Sequence, residues 1–371
     1  MDDEYPYSQF QIHNCPVTFL TSSPSGKLVL AGFEDGKIKV LNLQNNVRNE
    51  EMFMNLTDTI STVSKKITSI NFNLSTNLNE ILLSSGNTIT QFDYHKSESI
   101  RRITDDRSWL INNNCNYLNS DLVAAIDNDN SLKLYDLKNK SNKPVQVFRN
   151  STDSLTCFDF KKQRNWFIAC GTNDGNIFSY DLRMEKLIID KFASYINETK
   201  NHSNEKYPIT SVSLSDGPNI TKSSSKYALI GSLHNQLKLM DLDIGSLTQS
   251  STKFISNYNE YSINRDISNL QSRQDFDRKI PDKSYQIEAK IFNTDKNVIS
   301  GSETGEVYVW NFSNPKKGKD NLILKTYNNY MINETQSNKL LSNVSHLGGV
   351  NCVLAGGGDG KLHLWENVNL N

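Results

Sequence analysis

A glycine-rich segment near the C-terminus comes nearest in this chain to a phosphate-binding loop. It reads Ala355-Gly356-Gly357-Gly358-Asp359-Gly360-Lys361-Leu362. A phosphate loop needs a hydroxyl residue after the lysine to bind the metal ion, and a helix start whose N–H groups cradle the phosphates. Here the first glycine is displaced by one position, Leu362 replaces the hydroxyl residue, and the residues that follow indicate a strand. We therefore predict a structural turn and no nucleotide site.

Histidine residues show no spacing that metal binding or hydrolysis would require. Neither the H-E-x-x-H nor the G-x-S-x-G pattern occurs. His363 alternates with Leu362 and Leu364 on a predicted strand, so we expect it to pack between sheets and not to bind a ligand. A catalytic triad assembled from distant segments is the alternative, although no residue pattern indicates one. The six histidines are at positions 13, 95, 202, 234, 346 and 363.

Cysteine usage favours a buried structural role in a reducing compartment over a disulfide or metal role. The five cysteines, at 15, 115, 157, 170 and 352, are scattered and form no C-x-x-C pair. We accordingly predict a protein that is not an enzyme, with no catalytic residues, no cofactor and no metal ion.

Charge and hydropathy exclude several classes of partner. The 40 basic and 41 acidic residues give a net charge of −1, so the overall electrostatic signature of a nucleic-acid-binding protein is missing, although a local patch stays open. No run of 18 apolar residues occurs, and the acidic start Met1-Asp2-Asp3-Glu4 does not read as a secretory signal. These features predict an intracellular protein of the nucleus or cytoplasm that has no membrane association.

The elements that would position any site are repeated. Seven segments each follow a turn, alternate apolar and polar residues, and end in an acidic or amide residue. The distances between their last residues are 51, 43, 45, 60, 70 and 55, and the shortest equal one propeller blade. The segments are residues 37–42, 88–93, 131–136, 176–181, 236–241, 306–311 and 361–366.

Each of these segments is expected to be the third strand of a four-stranded blade. In the first repeat, strands are predicted at 17–20, 28–31 and 38–41, with turns at 23–26 and 34–36. The same order recurs around residues 154–181 and 287–310. The fold class is therefore all-β, and we predict a single domain, residues 1–371, that forms a seven-bladed β-propeller.

The two ends of the chain are predicted to meet in the last blade. Residues 7–12 alternate as a strand does and precede the first repeat, so we expect them to close the ring, after a disordered stub at 1–4. Long polar inserts separate several repeats, and we expect the largest, 248–282, to be a mobile loop, with a partner-binding arm as the alternative. The inserts are residues 44–62, 196–206, 216–226, 248–282 and 327–341.

The repeats resemble those of WD-repeat propellers. Such repeats carry Trp-Asp at the end of the third strand and Gly-His between blades. Among the seven predicted third strands, only two contain the tryptophan, at Trp310 and Trp365, and no Gly-His pair occurs in the chain. The Ser/Thr-His-Asp-Trp hydrogen-bond relay of such repeats is therefore expected to be largely missing.

Repeats four to six resemble the mitogen-activated protein kinase organizer family more specifically. That resemblance implies a small seven-bladed scaffold associated with kinase cascades and with pre-mRNA splicing complexes, of which we favour splicing. An RNA-contacting propeller and an enzyme that uses the central channel are the competing classes. The stretches that carry the resemblance are Pro144-Val145-Gln146-Val147, Asp174-Gly175-Asn176, Tyr180-Asp181-Leu182-Arg183-Met184, Leu187-Ile188-Ile189-Asp190, Pro208-Ile209-Thr210, Ser232-Leu233, Leu237 to Gly245, Tyr285 to Ala289 and Ile299 to Gly305.

A protein-binding surface is predicted on the rim where the connections between blades gather. The expected partners are other proteins of a multi-subunit complex, with indirect RNA association possible, and the chain alone is expected to be monomeric. Arg101 and Arg102 join Arg107 and Trp109 in a basic-aromatic group. The alternative is that the arginine heads are solvated and that the aromatic residues pack in the core. The predicted rim residues are Arg107, Trp109, Asp153, Tyr207, Tyr285 and His346.

Overall fold

The protein is an all-β propeller. The computed structural model describes residues 5–45, 52–61, 65–73, 79–104, 115–127, 129–149, 153–161, 164–183, 186–190, 208–215, 227–233, 237–241, 287–292, 297–302, 305–311, 321–325, 341–347, 352–366 and 368. These residues contain 27 strands and no helix, and therefore none that could cross a membrane.

The first four sheets along the chain have four antiparallel strands each. Sheet 1 contains β2 (Val17–Ser22), β3 (Leu28–Phe33), β4 (Lys37–Asn45) and β5 (Met52–Ser61); sheet 2 contains β6 (Ile67–Phe72), β7 (Glu80–Ser85), β8 (Thr88–Asp93) and β9 (Glu98–Thr104). Sheet 3 contains β10 (Cys115–Tyr117), β11 (Leu122–Asp127), β12 (Ser131–Asp136) and β13 (Gln146–Phe148); sheet 4 contains β14 (Leu155–Lys161), β15 (Arg164–Thr172), β16 (Ile177–Asp181) and β17 (Lys186–Asp190).

The remaining three sheets differ from one another in the number and chain order of their strands. Sheet 5 has three strands: β18 (Ile209–Leu214), β19 (Tyr227–Ser232) and β20 (Leu237–Asp241). Sheet 6 contains β21 (Ala289–Phe292), β22 (Asn297–Ser300), β23 (Glu306–Asn311) and β24 (Asn321–Lys325). Sheet 7 contains β25 (Leu341–Leu347), β26 (Cys352–Gly357), β27 (Lys361–Trp365) and, beside β27, β1 (Tyr7–Gln11).

The described residues complete six four-stranded blades rather than the seven expected, because sheet 5 contributes three strands among them. Every predicted third strand is present, as β4, β8, β12, β16, β20, β23 and β27. The predicted insert at 44–62 is wrong: β5, at Met52–Ser61, pairs with β4 along its length and is the outer strand of sheet 1. The inserts at 196–206, 216–226 and 248–282 lie outside the described residues, as does 327–341 up to the start of β25.

The N-terminal strand lies in the last sheet. β1 pairs antiparallel with β27, in a register that sets Tyr7 opposite Trp365 and Gln11 opposite Lys361. This is the pairing expected for residues 7–12. On its other side sheet 7 contacts sheet 1, where β2 packs against β25 and β26.

A bulge near the start of the inner strand recurs in five sheets, and each time the bulge residue is a threonine or a serine. Thr18 donates to the carbonyl oxygen of Ile67 in the next sheet, at 2.7 Å. Thr156 donates in the same way to Ile209, at 2.6 Å. Ser342 donates to the Val17 carbonyl oxygen at 3.4 Å, whereas Thr68 bonds to Ser84 within its own sheet. Because a hydroxyl can satisfy a carbonyl group outside its own sheet, the bulges at Thr18, Thr156 and Ser342 join neighbouring sheets. The five bulge residues are Thr18, Thr68, Thr156, Thr210 and Ser342.

Glycine in the second strand allows the next sheet to approach closely. A Cβ atom added at Gly171 would lie 2.5 Å from Cγ2 of Ile209, and one added at Gly356 would lie 2.5 Å from Cγ1 of Val17. Because real Cβ contacts are wider than this, no larger residue fits without moving the neighbouring sheet. The core lies in these junctions between sheets, as in the apolar cluster that joins sheets 3 and 4.

Candidate protein-interaction surface

Two of the six predicted rim residues, Asp153 and His346, belong to the part of the chain that the structure describes. Asp153 lies directly before β14, where it accepts hydrogen bonds from the Ser154 N–H at 2.7 Å and from Asn173 Nδ2 at 3.3 Å. His346 is the last residue but one of β25 and is opposite Val353. One residue therefore precedes an inner strand and the other ends one, at opposite rims of the propeller. Arg107, Trp109, Tyr207 and Tyr285 lie outside the described residues.

Arg101 joins sheet 2 to sheet 3. Its guanidinium group donates to the carbonyl oxygens of Asp136 at 3.0 Å and of Ser141 at 2.8 Å, and also to that of Leu137. The expectation of a solvated arginine head is therefore wrong for Arg101, whereas Arg102 is exposed as expected. Carbonyl groups in a loop attract the planar guanidinium because it offers several donors in one plane.

Apolar side chains are exposed on the outer strand of sheet 3. Val145 is 53% exposed and Val147 is 39% exposed. Gln146, which lies between the two valines, donates to the Leu182 carbonyl oxygen of sheet 4. Phe148, which follows Val147, is buried in the apolar cluster shared with sheet 4. Since side chains alternate along a strand, the two valines face the opposite way, toward sheet 2.

We call the exposed part of the junction between sheets 2 and 3 the outer groove. It includes Arg101 of β9 in sheet 2, and Val145, Val147 and Arg149 at and beside β13 in sheet 3. Buried apolar residues of sheets 2 and 3, among them Ile103, pack together in the same junction. Exposed apolar side chains at a junction where an arginine is held by carbonyl groups are a surface that suits a protein partner.

A polar cluster in sheet 3 fixes the end of the outer groove at Arg149. Asp129 lies in the turn before β12, and the next residue, Asn130, has a φ of 61°. The carboxylate accepts from the buried Lys133 Nζ at 3.1 Å and lies 3.6 Å from the Arg149 guanidinium. The buried ammonium group is thus compensated by a carboxylate, as burial of a charge requires.

Sequence reasoning missed the outer groove, although one signal was available. Val145 and Val147 alternate with Gln146 at the outer strand of sheet 3, which is the edge of that sheet among the described residues. The alternation alone indicated one apolar face, but only the packing of the sheets shows that this face is exposed.

Sheet 1 contains one histidine–aspartate pair of the kind found in the WD-repeat relay, which the sequence led us to expect to be largely missing. His13 Nε2 lies 2.8 Å from Asp35 Oδ2, between the connection before β2 and the turn before β4. Burial opposes ionisation of Asp35, but hydrogen bonds from His13 and Lys37 outweigh it and lower the pKa of this carboxyl to about 2. The absence of a Gly-His pair in the sequence therefore did not exclude the interaction, because His13 follows Ile12 instead.

Comparison with known proteins agrees with this arrangement of strands. The family "WD domain, G-beta repeat" matches residues 4–42 and 142–181. The chain contains WD40 repeats. The first match covers β1 to β4 and the second covers β13 to β16, so each begins with the outer strand of one sheet and ends with the third strand of the next. Proteins with WD40 propellers are typically non-catalytic and bind other proteins.

Two curated relatives carry WD repeats as well. An uncharacterized WD repeat-containing protein of Schizosaccharomyces pombe is 26% identical over 177 residues, which are 48% of this chain and 43% of that protein. A WD repeat domain-containing protein 83 homolog of Dictyostelium discoideum is 22% identical over 344 residues, which are 84% of this chain and 88% of that protein. The chain thus matches less than half of the first relative's length. Both relationships are distant and establish WD40 repeats without establishing a narrower family.

Proposed function

We propose that this protein is a non-catalytic scaffold that binds other proteins through its propeller surface. The observation that supports this most directly is the outer groove, where Val145 and Val147 are exposed and Arg101 bridges sheets 2 and 3. A soluble partner would cover these valines with its own apolar side chains. The WD40 repeats agree with such a role, since propellers with these repeats typically bind other proteins.

The proposal includes a single propeller of seven blades over residues 1–371, closed by residues 7–12. Seven third strands support the blade count. The pairing of β1 with β27 and the packing of β2 against β25 support closure. Sheet 5 would then count as a blade of which three strands belong to the described residues.

For the complex in which the scaffold acts, we propose a nuclear pre-mRNA splicing complex. The support is the resemblance of repeats four to six to the mitogen-activated protein kinase organizer family. The alternatives are a scaffold for a kinase cascade, which the same resemblance supports, and a propeller that contacts RNA. The rim residues Arg107, Trp109, Asp153, Tyr207, Tyr285 and His346 remain a second proposed contact surface, without support from the residues that the structure describes.

Substitution in the outer groove tests the scaffold role. We expect the double variant Val145→Asp/Val147→Asp to lose its main co-purifying protein, because carboxylates would be buried in the apolar contact. Leu56→Asp is the matched control, since Leu56 is an apolar residue of outer strand β5 and is 52% exposed. The control should keep the partner. Both variants should keep the wild-type free energy of unfolding within about 0.5 kcal/mol, the range usual for surface substitutions.

The identity of the lost protein and its response to nuclease separate the alternatives. Mass spectrometry that finds splicing factors, retained after RNA digestion, would support the proposal, whereas kinases would favour the signalling role. Loss of all partners on RNA digestion would favour the RNA-contacting propeller. Full partner recovery by the double variant would contradict the use of the outer groove.

A further inference from the structure

Three side chains with metal-binding atoms converge where sheet 7 meets sheet 1. They are His13 and Cys15, in the connection between β1 and β2, and Asp35, in the turn between β3 and β4. One ligand atom from each lies within 4.8 Å of the others, and all three residues are half-buried. None of the described histidines or cysteines elsewhere forms such a group.

The backbone that carries these residues is held in place by the last hairpin of the chain. The His13 N–H donates to the Gly360 carbonyl oxygen at 3.2 Å. Gly360 has a φ of 78°, and a Cβ atom added there would lie 2.1 Å from the His13 carbonyl oxygen and 2.7 Å from that of Cys15. The connection thus rests on a glycine that no other residue could replace at that φ without strain.

The side chains are held as well as the backbone. The His13 ring meets the Phe33 ring edge-on, with centroids 4.8 Å apart and an interplanar angle of 78°. The other carboxylate oxygen of Asp35, Oδ1, accepts from the Lys37 N–H at 3.2 Å, which leaves Oδ2 directed at His13. Two of the three ligand atoms therefore have fixed positions, and the thiol of Cys15 lies beside them.

We propose that His13, Cys15 and Asp35 form a zinc site. Imidazole nitrogen, thiolate sulfur and carboxylate oxygen are the ligand types that zinc takes, and a tetrahedral ion held by three protein ligands keeps a fourth position for water or for a partner's ligand. When zinc binds, the Cys15 thiol releases its proton to solvent, and the ion takes the place of the proton between His13 Nε2 and Asp35 Oδ2. These two atoms, now 2.8 Å apart, separate to about 3.3 Å, the spacing that tetrahedral zinc ligands require.

Lys37 is the competitor for this site. Its Nζ atom lies 3.1 Å from Asp35 Oδ2, and its side chain is 42% exposed. Because zinc carries two positive charges, it displaces the single ammonium charge into solvent when it binds. Removal of the ammonium group should therefore tighten zinc binding, a result that a merely structural His13–Asp35 hydrogen bond would not give.

Cobalt substitution and zinc titration of the purified full chain test the site. Cobalt should produce a thiolate-to-metal charge-transfer band at one equivalent, and zinc should displace it. We expect Cys15→Ser and His13→Gln each to weaken zinc binding about 100-fold or more. Even the loss of a residue that only hydrogen-bonds to a metal ligand weakens metal binding by about 10–100-fold in many sites. Lys37→Met should strengthen zinc binding. The matched control is His95→Gln, which alters an exposed histidine of sheet 2 and should bind as the wild type does.

Thermal unfolding gives an independent readout. Because zinc would bind the folded chain and not the unfolded chain, it should raise the melting temperature of the wild type and of Lys37→Met. It should not raise the melting temperature of Cys15→Ser. A cobalt spectrum without a thiolate band, or equal zinc affinity of Cys15→Ser and wild type, would overturn the proposal. So would unchanged zinc affinity of Lys37→Met, a substitution that leaves all three ligands in place.

Discussion

The hydroxyl group of Tyr7 lies 2.7 Å from Nδ1 of His363, although the two residues are 356 positions apart in the chain. Their rings are stacked, with centroids 6.0 Å apart, and the Trp365 ring lies 5.5 Å from that of Tyr7. Burial lowers the pKa of His363 to about 4, an effect that Asp359 opposes and Lys361 reinforces. The imidazole is therefore neutral in the folded protein near neutral pH, as its place between strands requires.

This relationship predicts a loss of stability in mild acid. An unfolded histidine binds its proton near pH 6.5, whereas folded His363 does so only near pH 4. Between these values the unfolded state holds the extra proton, so the free energy of unfolding should fall by up to about 3 kcal/mol as the pH falls through this range. Urea denaturation at a series of pH values measures it. His363→Gln should flatten the dependence and the control His95→Gln should keep it; equal slopes would contradict the assignment to His363.

A second prediction concerns the strand that carries Tyr7. Deletion of residues 5–14 removes β1 and its ladder with β27, together with the packing of Phe10 and Ile12 on the apolar cluster of sheets 1 and 7. We expect the free energy of unfolding to fall by several kcal/mol, because buried apolar area and backbone hydrogen bonds are lost together. Deletion of residues 1–4 is the control. An unchanged melting temperature after the longer deletion would show that β1 contributes nothing to the fold.

The bulge hydroxyl groups give a third prediction. Thr156→Val keeps the volume of the side chain but removes the 2.6 Å hydrogen bond to the Ile209 carbonyl oxygen. We expect a loss of about 1–2 kcal/mol, the usual range for a buried acceptor that loses its donor. Thr59→Val, at an exposed position of β5, should have little effect in the same denaturation experiment. If the two variants were equally stable, the bulges would not join the sheets as described.

The close approach of sheets 7 and 1 gives a fourth prediction. Gly356→Ala places a methyl group 2.5 Å from Cγ1 of Val17 and should cost about 1–3 kcal/mol. Val17→Ala removes Cγ1 and Cγ2, the first of which is the nearest clashing atom, at the cost of a cavity, and leaves Cβ 2.9 Å from the added methyl group. The double variant should be more stable than the sum of the two single effects predicts, and a double-mutant cycle measures the difference. Strict additivity would mean that the alanine is accommodated elsewhere.

The third strands were predictable because they alternate and follow tight turns, as Lys37–Asn45 does after Gly36, whose φ is 83°. β5 was not recognised, because an outer strand has fewer neighbours and its apolar pattern is diluted by residues such as the exposed Thr59. The candidate sites were harder to predict from the sequence than the strands were. Exposure of Val145 depends on how sheets 2 and 3 meet, and the approach of His13 to Asp35 depends on a connection and a turn that the sequence separates by 22 positions.

The placement of β1 beside β27 has a consequence for synthesis on the ribosome. β1 emerges before every other described strand, yet its partner strand β27 emerges after all of them, since Tyr7 pairs with Trp365. Sheets 1 to 4 consist of consecutive strands and can form as the chain emerges, whereas sheet 7 must wait for translation to reach β27. During that interval the apolar side chains of β1 lack their partner strand, and such a delay exposes a nascent chain to aggregation and to capture by chaperones. Assembly of sheet 7 is thus a late event in the folding of this protein.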